Sequence, residues 1–346
     1  PLIGRTIRIG LGPAVLGAGS AVLAAVVTAS LTSADVIVPF TLTTAVAATL
    51  SPLQDHVRKM LHIGSESWKA AGISIVQFLT AVTAILILTW IDVAVPWIPF
   101  GSLAIANLVS LSFGWYLISD EHRHSEHANE FRFWELAKRG RWVVLQAAAP
   151  SLAGFFAAAV ITRLASPEAL GYAESARIVA QPILVFATGF TAVLAPRIVA
   201  ASMKRDHLLA LRTNKIYLSA ILLAGTSYFL VAGWDWALNP MPFVVPSAYE
   251  VSGLVALTIV ANMVTAAIYL QVNELLGARM ETTLARLSWA ASPIVLIGAA
   301  TAGATEAFAR PLGRVFASVT QFTAQSVAIA RHYEEPAAKP STEDPL

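Results

Sequence analysis

Glu174, Arg177 and Gln181 stand three and four residues apart, which places them on one face of a helix. A second stripe, Glu306, Arg310, Arg314, Gln321 and Gln325, falls within about 100° of arc at 3.6 residues per turn. Both stripes interrupt apolar sequence. A charged side chain at the centre of a bilayer costs about 2.5–3.5 kcal/mol on insertion scales, so guanidinium groups placed there need a use. Facing an internal aqueous cavity, Arg177, Arg310 and Arg314 would grip an anionic ligand, with Glu174 and Gln181 beside them. The alternative is structural: Arg177 snorkels to headgroups or pairs with Glu174 one turn away, and Arg310 pairs with Glu306. Arg163, at the end of its helix, reads as an interfacial anchor.

Other chemistry is poorly supported. His122, His124, Glu126 and His127 are metal-ligand types, but they sit together in a polar connection and read as a solvated loop. No metal and no cofactor are expected. There is no cysteine, so disulfides and thiolate sites are impossible. The chain has no Ser/His/Asp set, no phosphate-binding glycine loop and no H-E-x-x-H motif, which argues against an enzyme. Asp92 and Asp235 stand alone in their loops. The spans read as lacking a deep Asp or Glu of the kind a cation-coupled antiporter needs.

The elements that carry the stripes are long apolar runs. Segments 14–31 and 70–91 contain no charged side chain. About 20 apolar residues at 1.5 Å each match the hydrocarbon thickness of a bilayer, and lipid forces such segments to be helical. Apolar residue types make up 56% and charged ones 13%, about half the charged fraction of a soluble domain. The fold class is therefore all-α, a polytopic membrane bundle in two lobes. Ten spans are expected, at 10–31, 36–54, 68–91, 97–119, 141–163, 170–197, 215–235, 249–273, 286–304 and 309–331. Arg5 and Arg8 before an apolar run could also be read as a signal peptide, but the run is long and nine spans follow it.

The sequence pI of about 9.0 does not indicate nucleic acid, because the basic residues alternate between loops. Under the ten-span arrangement 19 of the 23 Lys and Arg residues lie on one side. The positive-inside rule then puts both termini in the cytoplasm, in a multi-pass protein of the cell membrane. Trp90, Trp97, Trp234 and Trp236 mark the outer boundary, and Trp68, Trp134, Trp142 and Trp289 the inner one.

The longest polar connection divides the chain. Residues 1–119 form a partial N-terminal lobe of four helices and 120–140 a cytoplasmic linker. Residues 141–333 form a C-terminal lobe of six helices, and 334–346 a disordered tail. Prolines 39, 52, 150, 182, 196, 293 and 311 fall inside spans and would bend them. Val38, Thr41, Leu53 and Gln54 match Val255, Thr258, Leu270 and Gln271 at a constant offset, a weak sign of repeated bundles.

Leu170-Gly171-Tyr172-Ala173-Glu174-Ser175-Ala176-Arg177-Ile178, followed by Pro182 and by Pro196-Arg197, resembles the eighth helix of the polysaccharide and lipid-linked oligosaccharide flippases. These belong to the multidrug/oligosaccharidyl-lipid/polysaccharide exporter superfamily. Arg141 to Gly171 looks like the preceding helix and its exit. The match covers about 60 residues; beyond it the agreement is in hydropathy and topology. The resemblance implies 12 or 14 helices in two lobes of six, with the family's first two helices missing from this chain. It also implies transport of an isoprenoid diphosphate carrying sugars, from the inner to the outer leaflet, by alternating access. The implied partners are that lipid-linked glycan, the bilayer and proteins of polysaccharide assembly. Arg177, with Arg314 and Arg310, would neutralise the diphosphate. A multidrug or small-molecule antiporter of the same superfamily is the alternative transporter. A membrane scaffold of a polysaccharide-assembly complex is the non-transporting one.

Overall fold

The computed structural model describes residues 34–63, 66–118, 133–234, 236, 239 and 241–334, with isolated positions between 15 and 26. The expected first span, most of the linker with its histidines, and the tail lie outside the described residues. Among the described residues nine long helices follow one another: α1 Ala34–Ile63, α2 Ser67–Trp90, α3 Ile98–Leu117, α4 Phe133–Leu164, α5 Pro167–Met203, α6 His207–Ala232, α7 Leu254–Gly277, α8 Glu281–Ala300 and α9 Ala309–Glu334. Among the described residues there is no strand, so the all-α class holds.

Seven of these helices, α2 to α8, are long and apolar enough to cross a bilayer, and the chain is a multi-pass membrane protein. The expectation counted α1 and α9 as well. α9 is too polar for this because it carries the Arg and Gln stripe; α1 begins apolar and turns polar in its last turns, around Asp55, Arg58 and Lys59. Several helices outrun their expected spans. α5 covers 37 residues, about 55 Å at 1.5 Å per residue. The helix continues because backbone pairing persists after the side chains become polar. Ser166 starts α5 by accepting from the Ala169 amide at 3.1 Å, and Asp206 starts α6 by accepting from the Leu209 amide at 3.0 Å, both N-cap bonds.

Two compact units divide at Leu136 and Ala137. In the first, α1, α2 and α3 pack around Val57, Leu61, Ala70, Ile73 and Ile118. A neutral ladder ties them: Asn107 donates to Ser51 at 2.7 Å, Gln77 to Asn107 at 2.7 Å, and Gln54 to Gln77 at 3.2 Å. In an apolar medium such amides must bond to one another.

The second unit holds α4 to α9. Its core runs along α5, α6 and α7 through Ile183, Ile198, Tyr217, Ile259 and Leu270. Pro182 cannot donate to the helix ladder. The nearby carbonyls of Val179 and Ala180 accept instead from Tyr228 Oη at 2.6 Å on α6 and Asn262 Nδ2 at 2.9 Å on α7. Neighbouring helices thus bond directly to the α5 backbone within one turn of the proline. α8 and α9 meet at Gly298 and Gly313. A Cβ on Gly313 would lie 2.9 Å from the Val295 carbonyl oxygen and 3.1 Å from the Gly298 Cα, so only glycine allows the approach.

Candidate functional site

The close crossing at Gly313 fixes the neighbouring turn of α9, which bears Arg310 and Arg314. Both line a cavity of about 260 Å³ within the second unit, whose walls come from α4, α7, α8 and α9. α4 contributes Gln146 and the bend at Pro150, α7 Thr265 and Tyr269, and α8 Ser288 and Ser292. Among the described lining residues there is no carboxylate. Arg314 Nε donates to Thr265 Oγ1 at 3.3 Å, and that hydroxyl lies 3.0 Å from Ser318 Oγ. Gln321 donates to Ser288 at 3.2 Å. The cavity is therefore a cationic pocket with a hydroxyl and amide rim.

Glu174 stands at the edge of this charge. Its Oε2 accepts from Arg177 Nε at 2.5 Å, and its Oε1 accepts from Arg310 Nη1. Two guanidinium groups from α5 and α9 thus share one carboxylate, with net charge +1. Glu174 and Arg177 are each about a third exposed, and Arg310 is 20% exposed. The expected local pair of Arg310 with Glu306 is not what forms. Glu306 lies in a 3-10 turn before α9, with φ +46°, and leaves the stripe; Arg310 bonds across to α5 instead. Arg177 pairs one turn back, as the structural reading of that stripe anticipated, and it is not among the cavity's lining residues. Gln181 is half-buried on α5 and is also not among them. Gln325 is fully buried one turn beyond Gln321. The structure therefore brings Arg310, Arg314 and Gln321 onto the cavity, holds Glu174 and Arg177 behind Arg310, and leaves Gln181 apart.

A buried carboxylate lies just past the end of one expected span. Glu274, in the last turn of α7, is 1% exposed. Its Oε2 accepts from Asn214 Nδ2 at 2.6 Å and its Oε1 from Tyr333 Oη at 3.0 Å. The sequence reading ended this span one residue earlier, so the side chain counted as loop. Its burial comes from α6 and α9, far away in sequence. Among the described residues no group of three metal-ligating side chains is assembled.

At about 30 Å³ per water, the arginine-lined cavity holds some eight waters or one compact polar group. A pocket that encloses a whole drug-sized ligand measures roughly 300–1,000 Å³. The geometry suits a charged head group whose remainder lies elsewhere.

No known family profile matches the chain, and no curated protein matches it. Solved structures do. A mutant of the Vibrio cholerae MATE transporter VcmN is 14% identical, with 94% of this chain and 80% of that one covered and a TM-score of 0.66. The same transporter in its bent form is 15% identical, covering 96% and 79%, with a TM-score of 0.65. A MOP superfamily transporter from Pyrococcus furiosus is 13% identical, covering 97% and 79%, with a TM-score of 0.68. That last structure was described as having a binding pocket of reversed polarity that suggests a different function. At these identities the likeness is one of fold, and it spans nearly the whole chain.

Proposed function

We propose that this chain, with its MATE-like fold, acts as a membrane transporter of an isoprenoid-diphosphate-linked glycan precursor, moving it across the cytoplasmic membrane by alternating access. One observation carries the reading: Arg310 and Arg314 face a head-group-sized cavity whose described lining contains no acid. A diphosphate is the anion that guanidinium forks grip best. Arg314 is the leading contact, because its Nε is held by a neutral hydroxyl and keeps its full charge for a ligand. Arg310 is the second contact, oriented by Glu174. Glu174 and Arg177 act through Arg310 as positioning residues, and Gln181, which stands apart from the cavity, has no part in the contact. Sugars and lipid tail would lie outside so small a cavity. The proposed setting is the cell membrane with both ends of this chain cytoplasmic, and with polysaccharide-assembly proteins as partners.

A multidrug antiporter is the second reading. Two observations favour it: the MATE transporters among the fold neighbours and the buried carboxylate of Glu274.

The test is equilibrium binding to the purified full chain in nanodiscs. Geranylgeranyl diphosphate should bind, geranylgeraniol should bind at least tenfold more weakly, and Arg314→Ala should erase the difference. Equal binding of alcohol and diphosphate would overturn the diphosphate reading. Saturable binding of a cationic dye such as ethidium, without diphosphate preference, would establish the second.

A further inference from the structure

Four helix ends converge on Glu274, at the end of the second unit that bears Lys204, Arg205 and Arg279. α6 supplies Asn214 and α9 supplies Tyr333, the two donors to its carboxylate. α5 supplies Ser202, whose Oγ donates to the Glu274 carbonyl at 2.8 Å. The Ser202 carbonyl in turn lies 3.2 Å from His332 Nε2 on α9, which donates in that tautomer. The His207 ring, from the first turn of α6, packs 4.9 Å from the Tyr333 ring. Asp206, which caps α6, is the other charged group facing this knot, and Lys204 and Arg205 follow Ser202 in the adjoining turn. None of these side chains lines the arginine cavity.

We propose that Glu274 is a proton-binding site that clamps the C-terminal end of α9. The carboxylate is shut away from water, and both of its named donors are uncharged. A buried carboxylate held only by dipoles is costly. Protonation on acidification relieves that cost. A proton from water can bind a carboxyl oxygen, which then donates to the Tyr333 oxygen. In alkali this relief is lost. The anion then gains most by admitting water, and the least costly opening is to release Tyr333 and His332, two residues from the end of the described helix. The tyrosine itself stays protonated through this range, since burial and the neighbouring Glu274 push its phenol up from the ordinary value. The clamp is therefore tight in acid and loose in alkali. It acts on the same helix that carries Arg310 and Arg314 about 28–35 Å away at 1.5 Å per residue.

The test is amide hydrogen exchange of the full chain in nanodiscs, without any transport substrate, at about pH 6 and about pH 8.5, corrected for intrinsic chemical exchange. Corrected exchange over residues 326–334 should rise at least threefold at the higher pH, while that of α5 stays constant. Glu274→Gln, neutral at every pH and still able to meet Asn214 and Tyr333, should hold the segment at its low-pH rate throughout. Tyr333→Phe should show the high-pH rate at both values. pH-independent exchange in the native chain would overturn the proposal. So would Glu274→Gln that keeps the native pH dependence. If Glu274→Gln does not fold, infrared difference spectra of the native chain decide. A protonated carboxyl signal that appears with acid and shifts in Tyr333→Phe supports the site, and its absence together with an unchanged exchange profile in Tyr333→Phe overturns it.

Discussion

Glu174 and Arg310 pair across 136 residues of chain, and the same carboxylate also holds Arg177. α5 and α9 are tied by charge beside the arginine cavity, and the tie sets where the Arg310 guanidinium can point. Glu174→Gln should free Arg310 and raise the positive charge at the cavity edge. The expected result is several-fold tighter binding of inorganic diphosphate. The accompanying stability loss should stay below about 1 kcal/mol, because these partly exposed ions are screened by solvent. Isothermal titration and thermal unfolding in detergent measure the two effects.

Arg314 should matter more than Arg177. Arg314→Ala is expected to abolish export of surface polysaccharide in a complementation assay, with protein abundance unchanged. Arg314→Lys should impair it, because an ammonium cannot reproduce the planar fork. Arg177→Ala should cost less than Arg314→Ala, because Arg177 reaches the site only through Glu174. Equal losses from the two alanine variants would show that the α5 face contacts ligand directly.

The spans themselves were legible because apolar runs in lipid leave the backbone one option. The arginine stripe on α9 was legible too, as charge at helical spacing within apolar sequence. The partners were not. Arg310 sits one turn from Glu306, and nothing in the spacing shows that a 3-10 turn removes Glu306 while α5 brings in Glu174. Glu274 was missed because it lies one residue past a hydropathy boundary. The Asn107–Gln77–Gln54 ladder was missed because neutral amides perturb hydropathy little. The matched glutamines fared differently: Gln54 and Gln271 are both buried and both donate to a neighbouring helix, to Gln77 and Ser326.

That ladder supplies a third expectation. Asn107→Ala leaves Ser51 and Gln77 each without one partner. The cost should be about 1 kcal/mol, the scale of interhelical hydrogen bonds in membranes. Asn107→Leu should cost more, because it adds bulk at a fully buried site. Thermal unfolding in a mild detergent provides the comparison.

The glycine crossing supplies a fourth. Gly313→Ala forces a methyl against the Val295 carbonyl and the Gly298 Cα, so α8 and α9 must part. Overpacking of this kind costs about 1–3 kcal/mol. It should also move Arg314 off Thr265, lowering diphosphate affinity in protein that remains folded. Gly154→Ala, where a Cβ meets nothing within 4 Å, is the control and should be silent in stability.

Topology can be read chemically, since no native thiol interferes. Val95→Cys, at a position 75% exposed, should react with an impermeant maleimide in intact cells. Met203→Cys, at a position 62% exposed, should react only after the cells are opened. The reverse pattern would invert the orientation inferred from the basic loops.

The polarity of α9 bears on how the protein is made. Arg310, Arg314, Gln321 and Gln325 leave the helix short of the apolarity that carries α2 to α8 into lipid. Each arginine near mid-bilayer weighs against entry by about 2.5–3.5 kcal/mol. α9 therefore cannot leave the translocon as a lone passenger. It enters against helices already synthesised, with Glu174 meeting Arg310, Thr265 meeting Arg314 and Gly298 admitting Gly313. The order of biogenesis is written into the chain: α5, α7 and α8 emerge first from the ribosome, and the helix that needs them follows.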